Sequence, residues 1–341
     1  MNRRLPAEWE PQDGVLLAWP HADSDWRDSL ADVVPVFTQI AAAISRFARL
    51  VIAAPEIAPV RRHLLAAGVD PAKIALFPVA TNDTWARDFG PITILESGEP
   101  VLLDFGFNAW GLKFAADLDN QATANLARLG AFGRCARRVP GLILEGGSID
   151  SDGAGAVLTT ASCLLSPNRN PHLGRREIEQ ALASLLGATR VLWLENGYLA
   201  GDDTDAHIDT LARFCSETTI AYVRCDDPAD EHFAALAAME NELRAFRTRT
   251  GQPYRLIPLP WPAPAHADDG RRLPATYANF LIVNGAVLAP TYGVPQDAAA
   301  LAALALAFPS REIIGIDCRP LIAQHGSLHC LTMQIPRGVL P

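Results

Sequence analysis

The strongest constraint on this chain is an alternation between two kinds of apolar pattern. Stretches with apolar residues at helical spacing run over 34–50, 59–67, 120–129, 175–186, 229–247 and 297–308. Between them stand short runs rich in β-branched residues, at 15–19, 50–54, 74–79, 101–105, 142–144, 191–194, 219–223, 277–283, 286–289 and 313–316. Strands alternating with helices predict an α/β fold. Five of the helical patterns are centred near positions 62, 124, 180, 238 and 302, roughly sixty residues apart, the mark of an architectural repeat. The pattern at 34–50 lies outside this period. Similar strand-and-helix units round an axis would bring their strand-end loops to one centre. Polar motifs sit at such ends: Val79 precedes 82–88, Leu144 precedes Glu145, Leu194 precedes 201–209, and Ile316 precedes the turn to Cys330.

At 341 residues the chain can bury a large core, and 49% hydrophobic against 20% charged residues describes an ordered globular protein. The proline-rich stretch 258–270 separates two segments that both read as core. It is expected to be a long surface loop within a single domain spanning 1–341. A net charge of −9 argues against nucleic acid as a partner and suits a small cation. Arg3 and Arg4 have no apolar run behind them, so no secretory signal is expected. No stretch reaches the ~18 apolar residues of a membrane span. Six scattered cysteines without a CxxC pair fit a reducing cytoplasm, where a free thiol persists.

Cys330 ends the polar turn Gln324-His325-Gly326-Ser327-Leu328-His329-Cys330, where imidazole neighbours would favour a thiolate nucleophile. A small buried hydrophobe is the other reading of any cysteine. The string Asp203-Thr204-Asp205-Ala206-His207-Ile208-Asp209 has an acidic or imidazole group at every second position. On an extended backbone these four side chains would share one face. A solvated turn, a hard-cation site and a catalytic His207 among guanidinium-binding carboxylates are all compatible with that string. The cation reading lacks the Gly and distal Glu of a calcium loop. Glu145-Gly146-Gly147 offers a carboxylate where the backbone can approach a ligand, and Arg87-Asp88 could be a local ion pair.

Several longer blocks stand in order along the chain. Among them are Pro6-Ala7-Glu8-Trp9-Glu10-Pro11, Asn82-Asp83-Thr84-Trp85-Ala86-Arg87-Asp88-Phe89-Gly90-Pro91 and Phe107-Asn108-Ala109-Trp110-Gly111. Glu145-Gly146-Gly147-Ser148-Ile149, Ser166-Pro167-Asn168-Arg169-Asn170-Pro171, Tyr277-Ala278-Asn279-Phe280 and His329-Cys330 follow. With these blocks the chain resembles the agmatine deiminase family, guanidino-modifying enzymes of the pentein fold, nearly from end to end. The resemblance implies five ββαβ-type units round a pseudo-fivefold axis, an α/β-propeller. It implies a catalytic set of Cys330, His207, Asp88, Glu145 and Asp209, with Asp88, Asp209, Asp203 and Trp85 binding substrate. No metal or organic cofactor is implied. Two departures touch the pocket rim: the family's Gly-Gly-Gly-Asn-Ile-His-Cys turn is replaced by 325–330, and Asp203 stands where Glu is usual.

The expected reaction is hydrolysis of agmatine to N-carbamoylputrescine and ammonia through a Cys330 thiouronium, feeding putrescine synthesis. Asp88 and Asp209 would each take forked N–H pairs from the guanidinium. His207 would be the proton carrier, and Glu145 would orient it or hold a further substrate nitrogen. The runner-up is peptidyl-arginine deimination. A non-catalytic binding module and a metal hydrolase built on the 201–209 aspartates are the readings from other classes. The expected partner is a small cationic guanidino molecule, with neither nucleic acid nor membrane, and self-association into a homo-oligomer is left open.

Overall fold

One order of elements recurs in five sheets of three or four strands. An antiparallel hairpin is followed by a helix and by a third strand that pairs in parallel with the hairpin's second strand. Ile92–Glu96 and Glu99–Leu103 lead through the helix Asp119–Arg128 to Ala136–Arg138. Ile149–Ser151 and Ala156–Thr160 lead through Arg175–Leu186 to Arg190–Leu194. Ala212–Ser216 and Thr219–Arg224 lead through Phe233–Ala245 to Arg255–Pro260. Leu281–Val283 and Ala286–Thr291 lead through Gln296–Ala307 to Glu312–Asp317. The fifth sheet joins the two ends of the chain, because Thr332–Pro336 pairs antiparallel with Gln12–Ala18. Its crossover helix is Leu30–Ser45, after which Arg49–Ala54 pairs in parallel. These assignments come from a computed structural model, which describes residues 3–341.

The helix expected at 34–50 is therefore the fifth sheet's crossover, shifted to Leu30–Ser45. Its last expected residues are taken by the strand Arg49–Ala54, a β-branched run buried between Gln12–Ala18 and Ile74–Pro78. The helix near position 62, Ile57–Ala66, adds that fourth strand. The run 142–144 makes only an isolated bridge, Ile143 with Gly106. The expected loop at 258–270 begins inside a strand. Pro258 and Pro260 lie on Arg255–Pro260, at the edge of its sheet, where a missing N–H breaks no ladder.

Packing follows the same logic in each unit. In Arg175–Leu186 the buried residues are Ile178, Leu182 and Leu186, one face at i, i+4 and i+8. Gly174 N–H donates to Glu177 Oε2 at 3.1 Å, and the helix ends on Gly187 with φ 73°. Burial of a side chain such as Leu182 contributes about 1.5–3 kcal/mol. The buried apolar cluster is continuous from Val15 to Val339. No helix among the described residues is long and apolar enough to cross a membrane.

Candidate active site

In every one of the five sheets, a polar residue sits just before the first hairpin strand. Asp88 lies on the short helix Ala86–Phe89 ahead of Ile92–Glu96. Glu145 precedes the turn Gly146–Ser148 ahead of Ile149–Ser151. His207 and Asp209 flank the start of the turn Ile208–Thr210 ahead of Ala212–Ser216. Asn279 precedes Leu281–Val283, and Cys330 precedes Thr332–Pro336. Equivalent positions in repeated units are what allow residues so distant in sequence to meet.

They do meet. His207 Nδ1 lies 3.6 Å from Asp88 Oδ1, and Cys330 Sγ lies 3.9 Å from Asp209 Oδ2. Asp88 is fixed by two donors, Gly147 N–H to Oδ1 at 2.9 Å and Trp110 Nε1–H to Oδ2 at 3.0 Å. Asn279 Nδ2–H donates to the Cys330 sulfur at 3.3 Å. Its Oδ1 accepts from the main-chain N–H of His329 at 2.9 Å and of Cys330 at 3.3 Å. Gly147 sets the scale of the packing: a Cβ there would stand 2.6 Å from His207 Nδ1 and 2.8 Å from Asp88 Oδ1.

Burial governs the charges. The Cys330 thiol is pushed well above its ordinary value, first by burial and then by the anions of Asp209 and Asp88. His207 is pushed down to about 3, chiefly by burial, so its imidazole is neutral across the physiological range. Asp88 is held well above the carboxylate range by burial, with the Asp209 charge adding to it. Burial would raise Asp209 too, but hydrogen bonding to His329 and that ring's charge outweigh it and hold Asp209 below its usual value. Both ring nitrogens of His207 and Asp209 Oδ1 are buried without a hydrogen-bond partner. Buried polar atoms of that kind mark the positions where a substrate's donors and acceptors belong.

Glu145 is placed differently from its neighbours. Arg169 Nε–H donates to both of its oxygens at 2.9 Å, and the side chains of both residues are fully buried. Glu145, Cys163 and His207 bring an oxygen, a sulfur and a nitrogen within 4.8 Å of one another. An ion held there would sit beside the Arg169 guanidinium, which already fills the cation's place, so the trio is a poor metal site. Glu145 lies beside His207 without a hydrogen bond to it, and both of its oxygens are engaged by Arg169.

Above this floor opens a cleft walled by Trp85, Trp110 and Phe114 and rimmed by Asp25, Asp83, Asp202, Asp203 and His325. Cys330 and Asp88 reach it from below, and no Lys or Arg is among its described lining residues. Gly326 lies against the Trp85 ring, where a Cβ would be 2.2 Å from the indole. The shared face expected for 203–209 is not formed. Asp205 and Ala206 both have φ 65°, because the Asp202 carboxylate accepts from Thr204 N–H at 3.2 Å and Ala206 N–H at 2.8 Å and curls the chain. Asp205 is turned away to Arg169, at 2.6 Å, and to Lys113, at 2.8 Å. Asp203, His207 and Asp209 still reach the site, from a turn rather than a strand.

Comparison with known proteins agrees with this geometry. A model of the Porphyromonas-type peptidyl-arginine deiminase family matches residues 4–336. The agmatine deiminase of Pseudomonas putida is 35% identical, over 98% of this chain and 96% of that protein. The chain belongs to this family of peptidyl-arginine and agmatine deiminases. A substrate-bound C. jejuni agmatine deiminase carrying a cysteine-to-serine substitution superposes with a TM-score of 0.92 at 39% identity, over 99% of this chain and 97% of that one. A provisionally assigned arginine deiminase from Porphyromonas gingivalis superposes with 0.93 at 50% identity, over 99% and 100%. The α/β pentein fold follows from these likenesses.

The deiminase-like site also contains residues given no role by the sequence. Trp110, Asn279, Arg169 and Glu8 all lie within the blocks that carry the family resemblance, so the signal was present but not the partner. His325 and His329 are the imidazoles nearest Cys330 in sequence. His325 Nδ1 is engaged with Gly201 O at 2.7 Å, and His329 is held between Asp209 Oδ2 at 2.7 Å and Glu8 Oε2 at 2.8 Å. Both ring nitrogens of His329 are thus engaged, and one of His325.

Proposed function

We propose that this chain hydrolyses agmatine to N-carbamoylputrescine and ammonia, a step toward putrescine. The observation that carries the reading is the Cys330 thiol and the Asp88 carboxylate on the floor of a cleft whose rim is acidic and whose described lining lacks Lys and Arg, with the neutral His207 imidazole and the Asp209 carboxylate packed directly behind them. A guanidinium needs anions on the floor. Agmatine's distal amine needs an acid at the rim, and the carboxylate of free arginine would be repelled there.

The electrostatics make the substrate part of its own activation. With the site empty, burial first, and then Asp209 and Asp88, hold the Cys330 proton on sulfur. A guanidinium lying between those carboxylates offsets their charge and lowers the barrier to forming a thiolate. Neutral His207 then takes the thiol proton as sulfur bonds to the guanidinium carbon. It returns that proton to the departing nitrogen as the C–N bond breaks, leaving ammonia and a cationic thiouronium on Cys330. Water next gives a proton to His207 while its oxygen bonds to the same carbon. The C–S bond breaks, the thiol is restored, and the proton left over converts ammonia to ammonium.

Around this site we read five ββαβ-type units about a pseudo-fivefold axis, forming a single domain over 1–341 that works in the cytoplasm. The match to the Porphyromonas-type peptidyl-arginine deiminase family favours one second reading, arginine within a peptide, where no free carboxylate would meet the rim. Rapid quenching of the enzyme during agmatine turnover should give a Cys330 peptide heavier by one agmatine less one ammonia. An enzyme that releases ammonia from agmatine with no such adduct at any time would overturn the covalent route.

A further inference from the structure

His329 is the one imidazole near the site with a carboxylate on each nitrogen: Nδ1 is 2.7 Å from Asp209 Oδ2 and Nε2 is 2.8 Å from Glu8 Oε2. With two carboxylates to satisfy, both nitrogens must donate, which requires the imidazolium form. Glu8 is in turn gripped by Arg213 at 2.9 Å and by the main-chain N–H of Ile282 at 2.7 Å, and Arg87 lies 3.5 Å away. All of these side chains are buried. The clamp occupies Asp209 Oδ2 and leaves Asp209 Oδ1 without a partner. It also neutralises the oxygen closest to the Cys330 sulfur, at 3.9 Å.

We propose that Glu8 and His329 are positioning residues that keep Asp209 ionised and turn its free Oδ1 toward the guanidinium. This rests on the agmatine reading of the site. The N-terminal segment thereby becomes part of the substrate's anion site, although Glu8 touches no substrate. The groups facing Asp209 are His329, His207, Arg213, Arg87, Cys330, Asp88 and Asp202. Burial raises both carboxyls, and at Asp209 alone the hydrogen bond and charge of His329 outweigh it, so loss of that ring's charge raises Asp209. Asp209 must be ionised to bind a cation, so activity is lost as pH falls through its value.

The test is the pH profile of kcat/KM for agmatine in His329→Gln, which keeps a hydrogen-bond donor and removes the charge. The acid limb should move up by about 1–3 pH units, and KM near neutrality should rise about tenfold or more while kcat changes less. Glu8→Gln should move the limb in the same direction. If that variant fails to fold because Arg213 loses its partner, His329→Gln alone decides. An acid limb unmoved in a folded, active His329→Gln enzyme, or a loss confined to kcat, would overturn the positioning role. A parent enzyme that neither turns over agmatine nor, as Cys330→Ser, binds it calorimetrically would instead overturn the agmatine reading and this inference with it.

Discussion

The floor of the site and its rim are built to different standards. On the floor, each carboxylate has defined partners: Asp88 has Gly147 and Trp110, Asp209 has His329, and Glu145 has Arg169. On the rim, the Asp203 side chain has no hydrogen bond, and the Lys113 ammonium binds its main-chain oxygen rather than its carboxylate. The floor's residues keep the family pattern, whereas the rim carries both departures, Asp203 and the 325–330 turn. On this reading the floor fixes the reaction, and Asp203, unpartnered on a rim where Asp202 is held by Thr204 and Ala206, is where substrate choice is open to change.

The comparison predicts a graded series of losses. Cys330→Ser should lower agmatine turnover by roughly 10³-fold or more with the fold intact, because a hydroxyl is a far weaker nucleophile at neutral pH. Ammonia release near the parent rate, from protein with an unchanged melting temperature, would break the floor assignment. Next in size is Gly147→Ala, which places a methyl 2.6 Å from His207 Nδ1. A displacement near 1 Å at that ring should reduce kcat by about 100-fold. A mild effect in steady-state assays would mean that the floor has more slack than these distances allow.

Much of the difference between floor and rim was legible in the sequence, and the exceptions have physical causes. Four helices of the period near sixty residues are the units' crossover helices; the one near 62 adds an extra strand, and the fifth crossover is the 34–50 pattern, set aside as irregular. Its unit could not be seen locally because Thr332–Pro336 closes it from the other end of the chain. Strands such as Ile92–Glu96 and Ala212–Ser216 escaped because a buried polar residue interrupts each, Thr93 in the first and Arg213, paired with Glu8, in the second. The 203–209 string misled because period two presumes an extended chain, and Asp202 bends this one. Cys330, His207, Asp88 and Asp209, which the fold brings together, were weak signals taken singly, and only the family resemblance joined them into a set. Glu8 and Arg169 could not be picked by residue type, since a buried charge is recognised by its partner and the partners lie far away in sequence.

The smallest expected effect lies at the rim. Asp203 is pushed above the usual carboxylate value, chiefly by burial, with His325 opposing. Asp203→Asn should raise KM for agmatine about threefold to tenfold with kcat nearly unchanged, because the contact is made equally in ground and transition states. An equal fall in kcat would move Asp203 from the rim's role to the floor's.

The most direct test of the central claim is the rate of ammonia release by the unmodified enzyme from agmatine, free arginine and an N-blocked arginine peptide, compared as kcat/KM. Agmatine should be preferred over both, and free arginine should be the poorest because its carboxylate meets the acidic rim. Faster turnover of the arginine peptide than of agmatine would contradict the assignment and make this chain a peptidyl-arginine deiminase.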